Sequence, residues 1–383
     1  MNIAIISPWA ISETSVGGTE RFTIDLASQL HVLGNHVEVF VLSGKSCRIN
    51  EVKYTSLDLL GNEEAADEYD LQAFANNDTG DSFYAKWASY LEAKVNVSKF
   101  DAIQLNSLLF VDAWQDMPRI LTIHTNPFEF RLDWGRERLL CVAKKMRRGL
   151  YKRTLLTTPS DYYSQRFSKM FQRHVLTIPH AIDISRLNHE PSTGTVFNQD
   201  ADNDPSRVTI LLPSRLELVQ KRPQIVFRGV ALLPVSLRKR ITVLATGKDP
   251  QYRENSKKLE RIAVKAGFEA QFCKFPSMAE AYRHADIVAL PSKSESFGYS
   301  ALESLALGIP TILNSLPTFK EIGAGNKKAH FFEHTAQAFS QTLTTVLKDM
   351  QRQRPDMAWS NRYDIRRWGE TYQNLARSIV GNE

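Results

Sequence analysis

Ten short runs rich in apolar residues recur along the chain, at 2–6, 36–43, 101–106, 119–124, 155–160, 175–179, 208–214, 241–247, 287–292 and 310–314. Each suits a buried strand, and helical stretches separate most of them. The first is NIAII (2–6). A helical pattern follows, with Phe22, Ile24, Leu26, Ala27, Leu30 and Leu33 on one face and Gly34 as its stop. HVEVFVLS (36–43) is the next strand. Strand, helix and strand of this length form a βαβ unit with a right-handed crossover. Continuous apolar strands alternating with helices specify parallel, doubly wound sheets covered on both faces.

At 383 residues the chain is longer than one hydrophobic core usually serves. The polar stretch 189–206, HEPSTGTVFNQDADNDPS, has no hydrophobic period, and a new strand–helix series starts at Val208. The boundaries expected are a first domain at 1–185, a linker or surface loop at 186–206, a second domain at 207–360 and a closing segment at 361–383. A second polar interruption, 61–81, falls inside the first domain. The cleft between two such domains is the expected ligand site.

No apolar run reaches the ~18 residues of a membrane span. The opening MNIAIISPWA lacks a basic start and meets Pro8 at once, so it reads as a first strand rather than a signal peptide. Cys47, Cys141 and Cys273 are odd in number and far apart, which fits neither a disulfide framework nor a zinc site and suits a reducing cytoplasm. The net charge of +6 is unevenly placed. Residues 131–173 hold twelve Lys or Arg against three acids, and 51–101 hold eleven acids against four lysines. That asymmetry suggests a basic surface able to face phosphates or an anionic membrane.

The chemistry is densest in PSKSESFGYSALESLALGIPTI (291–312). A strand ends at Pro291, and a short loop leads into a helix. Glu295 and Glu303 stand eight residues apart. A helix N-terminus after a strand offers free N–H groups and a positive dipole end to a phosphate. Gly298 lets the backbone approach a ligand closely. Carboxylates at Glu295 and Glu303 can accept hydrogen bonds from sugar and ribose hydroxyls. Singly, each glutamate also reads as a surface charge, and His124 as an ordinary strand-end histidine. His330 and His334 mimic metal-ligand spacing, but no metal is expected there.

The stretch resembles the E-x7-E motif of retaining glycosyltransferases of the GT-B fold, family 4, the glycosyl transferases group 1. Glu295 and Glu303 match its glutamates, and Phe297-Gly298 its F-G pair. The resemblance runs in order over almost the whole chain. Gly17-Gly18-Thr19-Glu20 resembles the family's glycine-rich loop, RILTIHTNP (119–127) places His124 at an active-site histidine, and IPHAID (178–183) resembles its I-P-N-G-V-D junction. PSRLELVQKRP (213–223) resembles the segment whose Arg and Lys bind a diphosphate, here Arg215 and Lys221. ITVLATG (241–247) matches the next strand and glycine turn, and RYDIRRWGETYQNLA (362–376) the closing helix. Three departures stand out: Ser296 for a glycine, His180-Ala181 for N-G, and Lys221-Arg222 for K-G.

The resemblance implies two Rossmann-like domains facing across a cleft, with a C-terminal helix crossing back to the first. It implies a retaining transfer of a hexosyl or N-acetylhexosaminyl group from a nucleotide-sugar, UDP-linked, to a glycan, lipid-linked or small-molecule hydroxyl. Glu295, His124, Arg215 and Lys221 would carry catalysis. Gly17, Gly18, Thr19, Phe297, Gly298, Tyr299, Ser300, Ala301, Leu302 and Glu303 would bind the donor, with Ser300 to Leu302 offering backbone amides. No cofactor or metal is expected, because two fixed cations face the leaving diphosphate. Acceptor contacts are expected near 61–81 and 126–137. The expected location is cytoplasmic, with 131–173 touching the inner face of a membrane; no nucleic-acid motif accompanies the charge. The competing reading is a catalytically weak partner subunit of another transferase.

Overall fold

The computed structural model describes residues 1–12, 17–61, 81–124, 133–188, 207–247, 249, 251, 253–273, 277–349 and 357–381, the side chains of 133–138, 188 and 357 excepted. The polar stretch 189–206, most of 61–81 and most of 126–137 lie outside the described residues. The chain divides into two compact units, Met1–Ala181 with Tyr363–Glu383, and Ile182–Arg362.

The first unit is built on eight strands: β1 (Asn2–Ser7), β2 (His36–Val41), β3 (Cys47–Ile49), β4 (Val52–Ser56), β5 (Ala102–Leu105), β6 (Arg119–Thr122), β7 (Thr154–Thr158) and β8 (Val175–Thr177). Their spatial order is β3-β4-β2-β1-β5-β6-β7-β8. All neighbours are parallel except β3 and β4. Helices α1 (Gly18–Val32), α2 (Asp81–Lys94), α3 (Asp133–Arg147) and α4 (Asp161–Phe171) connect them. Because the sheet carries helices on both faces, its strands are apolar on both. One face packs Trp87, Phe110, Phe167 and Phe171, the other Phe22, Leu26 and Tyr54. Each such aromatic withdraws ~150–250 Å² from water, about 4–6 kcal/mol of transfer free energy.

The closing helix, Ile365–Val380, belongs to this unit and packs on α1. Trp368 and Tyr372 meet the Phe22 ring at 5.3 and 5.7 Å. Gly369 makes that approach possible, since a Cβ there would stand 2.6 Å from Gln29 Cβ. Gln373 Nε2 donates to Leu33 O at 3.1 Å.

The second unit is a six-stranded, wholly parallel sheet: β9 (Val208–Leu212), β10 (Ile241–Ala245), β11 (Glu269–Phe272), β12 (Ile287–Leu290), β13 (Thr311–Asn314) and β14 (Ala329–Phe332). The order is β11-β10-β9-β12-β13-β14. Its main helices are α5 (Gln224–Ala231), α6 (Glu254–Ala266), α7 (Met278–Arg283), α8 (Tyr299–Ala306), α9 (Pro317–Gly323) and α10 (Ala336–Lys348). Strand β9 has β10 on one side and β12 on the other. This reversal of winding opens a crevice at the carboxyl ends of β9 and β12, where ligands of open α/β sheets bind.

Four strands were not expected from the sequence: β3, β4, β11 and β14. All lie at or next to a sheet edge, where half-exposed residues break the apolar run. Ile49 pairs with Val52 across a two-residue turn, and Asn50 and Glu51 both have positive φ, 48° and 64°. That is the backbone of a tight hairpin turn.

The basic segment is less free than its charge suggests. Arg147 donates to Met170 O, Arg153 to Asp116 O, and Arg173 to Tyr151 O and Thr154 O. Lys145 is paired with Asp112 at 2.6 Å and Asp81 at 3.1 Å. These four cations therefore serve the fold itself.

Candidate functional site

In the second unit, two loops leave neighbouring strands at the switch point. The loop after β9 carries Arg215 and Lys221, and the loop after β12 carries Glu295. They are joined at three places. Lys221 Nζ donates to Glu295 Oε1 at 2.6 Å, Lys293 N donates to Gln220 O at 2.6 Å, and Gln220 Nε2 reaches Ser294 O at 3.4 Å. Ser292, almost wholly buried, donates its hydroxyl to the same Glu295 oxygen at 2.7 Å. The Lys221 and Glu295 side chains are 16% and 15% exposed, so the pair is sheltered yet open to a ligand. Lysine has three N–H donors, and the contact to Glu295 uses one.

The loop owes its shape to a residue the sequence reading passed over. The Glu217 carboxylate accepts from Val219 N at 2.6 Å, Gln220 N at 2.5 Å and Lys221 N at 3.3 Å. Arg222 N closes the turn onto Glu217 O at 3.0 Å. Arg215 is exposed, with no hydrogen-bond or ion-pair partner among the described residues. Gly247, at the end of β10, lies against this loop: a Cβ there would stand 1.8 Å from Ser214 O.

Gly298 begins α8 at φ 120°, a conformation that glycine alone adopts readily, and a Cβ would meet Phe319 at 2.6 Å. Ala301 N and Leu302 N both donate to Gly298 O. Their amides, expected to face the donor, are therefore engaged within the helix start, and their side chains are fully buried. Ser300 N has no such partner among the described residues, and Ser300 Oγ lies 3.4 Å from Pro213 O. Phe297 is buried, its ring 5.8 Å from that of Tyr299. Glu303 is 2% exposed, and Tyr282 OH donates to its Oε2 at 2.6 Å. No sequence signal linked Tyr282 to Glu303, because α7 and α8 meet only in the fold.

The first unit holds the remaining candidates. Gly17 caps α1 and Gly18 opens it; the residues just before, 13–16, lie outside the described set. Thr19 O accepts from Thr23 Oγ1 at 2.8 Å. His124 follows β6 and is 8% exposed, with both ring nitrogens free of hydrogen bonds among the described residues. Its ring lies 4.3 Å from Phe22 and 5.3 Å from His180. Burial pushes its pKa down to about 3, so the imidazole is neutral. His180, one of the departures from the family pattern, is also held well below its ordinary value, by burial first and then by His124 and Arg21. A neutral imidazole with two unengaged nitrogens can donate one hydrogen bond and accept another.

Comparison with known proteins agrees with this architecture. The family model "Glycosyltransferase Family 4" matches residues 16–186, and "Glycosyl transferases group 1" matches 197–361. The D-inositol 3-phosphate glycosyltransferase of Xylanimonas cellulosilytica is 29% identical over 166 residues, 42% of this chain and 38% of that relative. The match thus spans little more than a third of that relative's length. Among solved structures, sucrose-phosphate synthase of Thermosynechococcus elongatus superposes with a TM-score of 0.75 at 16% identity, covering all of both chains. Anabaena Alr3699/HepE in complex with UDP and glucose gives 0.73 at 16% identity, covering 98% of this chain and 99% of that one. With both family models matched in order on two doubly wound units of this kind, the chain belongs to glycosyltransferase family 4, the glycosyl transferases group 1, and has the GT-B fold.

Proposed function

We propose that this protein is a retaining, metal-independent glycosyltransferase that moves a hexosyl or N-acetylhexosaminyl group from a UDP-linked sugar to a hydroxyl of a glycan, lipid-linked or small-molecule acceptor. The observation that carries this reading is the 2.6 Å contact between Lys221 and Glu295 at the β9–β12 switch point. It sets a cation for a diphosphate beside a carboxylate for sugar hydroxyls. The Anabaena relative bound to UDP and glucose supports the choice of donor.

The chemistry follows from charge. As the anomeric C–O bond breaks, its electron pair stays with the UDP oxygen and negative charge grows there. Arg215 offers a planar fork to that charge and Lys221 its remaining N–H donors. Ser300 N adds a backbone donor at the helix start. These cations do the work a divalent ion would otherwise do. Glu295 accepts hydrogen bonds from the donor sugar, and Glu303 binds the ribose. His124 hydrogen-bonds the sugar or the acceptor. The acceptor hydroxyl attacks the oxocarbenium-like centre on the face the phosphate leaves, and its proton passes to the departing phosphate oxygen.

Incubation with a panel of UDP-sugars in the presence of a chelator tests this. UDP release, with the product keeping the donor's anomeric configuration by NMR, is the expected result. No release from any donor together with no UDP binding by calorimetry overturns it.

A second observation favours an anionic membrane as a peripheral contact, on the cytoplasmic face. No helix among the described residues is long and apolar enough to cross a membrane. Leu140 and Leu150, 45% and 43% exposed, share a stretch of sequence with exposed Lys144, Arg148 and Lys152. Exposed apolar and cationic side chains in one stretch suit an anionic lipid surface. Equal co-sedimentation with neutral and anionic vesicles would contradict it.

A further inference from the structure

We infer that Arg222 is a third cation of the diphosphate site, beside Arg215 and Lys221; this rests on the donor reading above. Two independent observations point to it. First, Arg222 has a φ of 53°, in the left-handed region, where a side chain is strained and glycine is not. Strain of this kind in a loop that carries binding residues marks a residue kept for its side chain. Second, Arg222 is partly buried, yet its guanidinium has no hydrogen-bond or ion-pair partner among the described residues. Every other partly buried arginine described is engaged. Arg21 pairs with Asp25, Arg207 with Glu269, Arg153, Arg173 and Arg238 donate to main-chain carbonyls, and Arg283 too has a partner.

Local charge sharpens the argument. The Lys221 ammonium already faces Glu295 at 2.6 Å, so much of its charge is balanced before any donor arrives. A diphosphate brings more negative charge than Arg215 alone offsets. Arg222 adjoins Lys221 in sequence, and the turn that holds it is fixed by its own N–H to Glu217 O at 3.0 Å. A fork with no acceptor among the described residues, adjoining the lysine of the site in sequence, is suited to phosphate oxygens.

The test compares UDP with uridine by calorimetry on the native chain, Arg222→Gly and Arg222→Asn. Glycine relieves the left-handed backbone, and asparagine tolerates it, so both variants should melt at or above the native temperature. UDP affinity should fall about tenfold or more in both, the loss of one charge-assisted hydrogen bond. Uridine affinity should stay native. Native UDP affinity in either variant overturns the inference, and so does an equal loss for UDP and uridine, which would mean a general disturbance of the site. If the native chain binds no UDP at all, the donor reading fails instead, and the two failures are distinct.

Discussion

Gly247→Ala is a substitution whose consequence can be worked out from distances. The added methyl would sit 1.8 Å from Ser214 O, 2.3 Å from Ser214 C and 2.6 Å from Arg215 N. All three are backbone atoms, so no side-chain rotation relieves the contact. Ordinary contact needs about 3.5 Å, so the two segments must part by roughly 1.5 Å. The Arg215 segment or the end of β10 must move, and a shift of the former displaces Arg215 from its place in the loop after β9. Overpacking of this sort costs about 1–3 kcal/mol of stability. A misplacement of ~1 Å in a positioned group can cost about a hundredfold in rate. The variant should therefore melt a few degrees lower, bind UDP ten- to a hundredfold more weakly and turn over about a hundredfold more slowly. Gly267→Ala is the control. Gly267 ends α6 at φ 72°, and nothing lies within 4 Å of its Cβ position. It should lose about 1 kcal/mol of stability and keep native UDP affinity. Native affinity and rate in Gly247→Ala would refute the reasoning.

Tyr282→Phe removes the 2.6 Å donor from the buried Glu303 carboxylate; it should cost about 1–3 kcal/mol by urea unfolding and weaken uridine binding, and unchanged stability would contradict it. The neutral, buried His124 predicts a pH dependence of stability. Its folded pKa, about 3, lies below that of the unfolded chain, so its contribution is complete above ~6.5 and is lost as pH falls toward 3. Between pH 7 and pH 5 it alone should remove about 2 kcal/mol, and His124→Phe should lack that share of the slope in parallel urea titrations. Identical slopes would show that His124 is not held neutral by the fold.

The interior of both sheets was legible in the sequence because their strands are buried on both faces and read as unbroken apolar runs. β3, β4, β11 and β14, at or next to the edges, were not, since half-exposed residues there break the apolar run. Near the candidate site, Glu295, Glu303, Arg215 and Lys221 could be picked out by type and order. Glu217, Ser292 and Tyr282 could not, because what each does depends on a partner that only the fold supplies. The same holds for the basic stretch. Its composition suggested a surface, whereas Arg147, Arg153, Arg173 and Lys145 bind main-chain carbonyls or the buried Asp112. The His180 departure gained a meaning only when its ring was found against His124.

The most direct test of the account is UDP release from UDP-sugars by the native chain beside Lys221→Met and Glu295→Gln. The account predicts release by the native protein, and loss of at least a hundredfold in both variants with melting temperatures close to native. Turnover at the native rate in either variant would contradict the claim that the Lys221–Glu295 pair is the heart of the site.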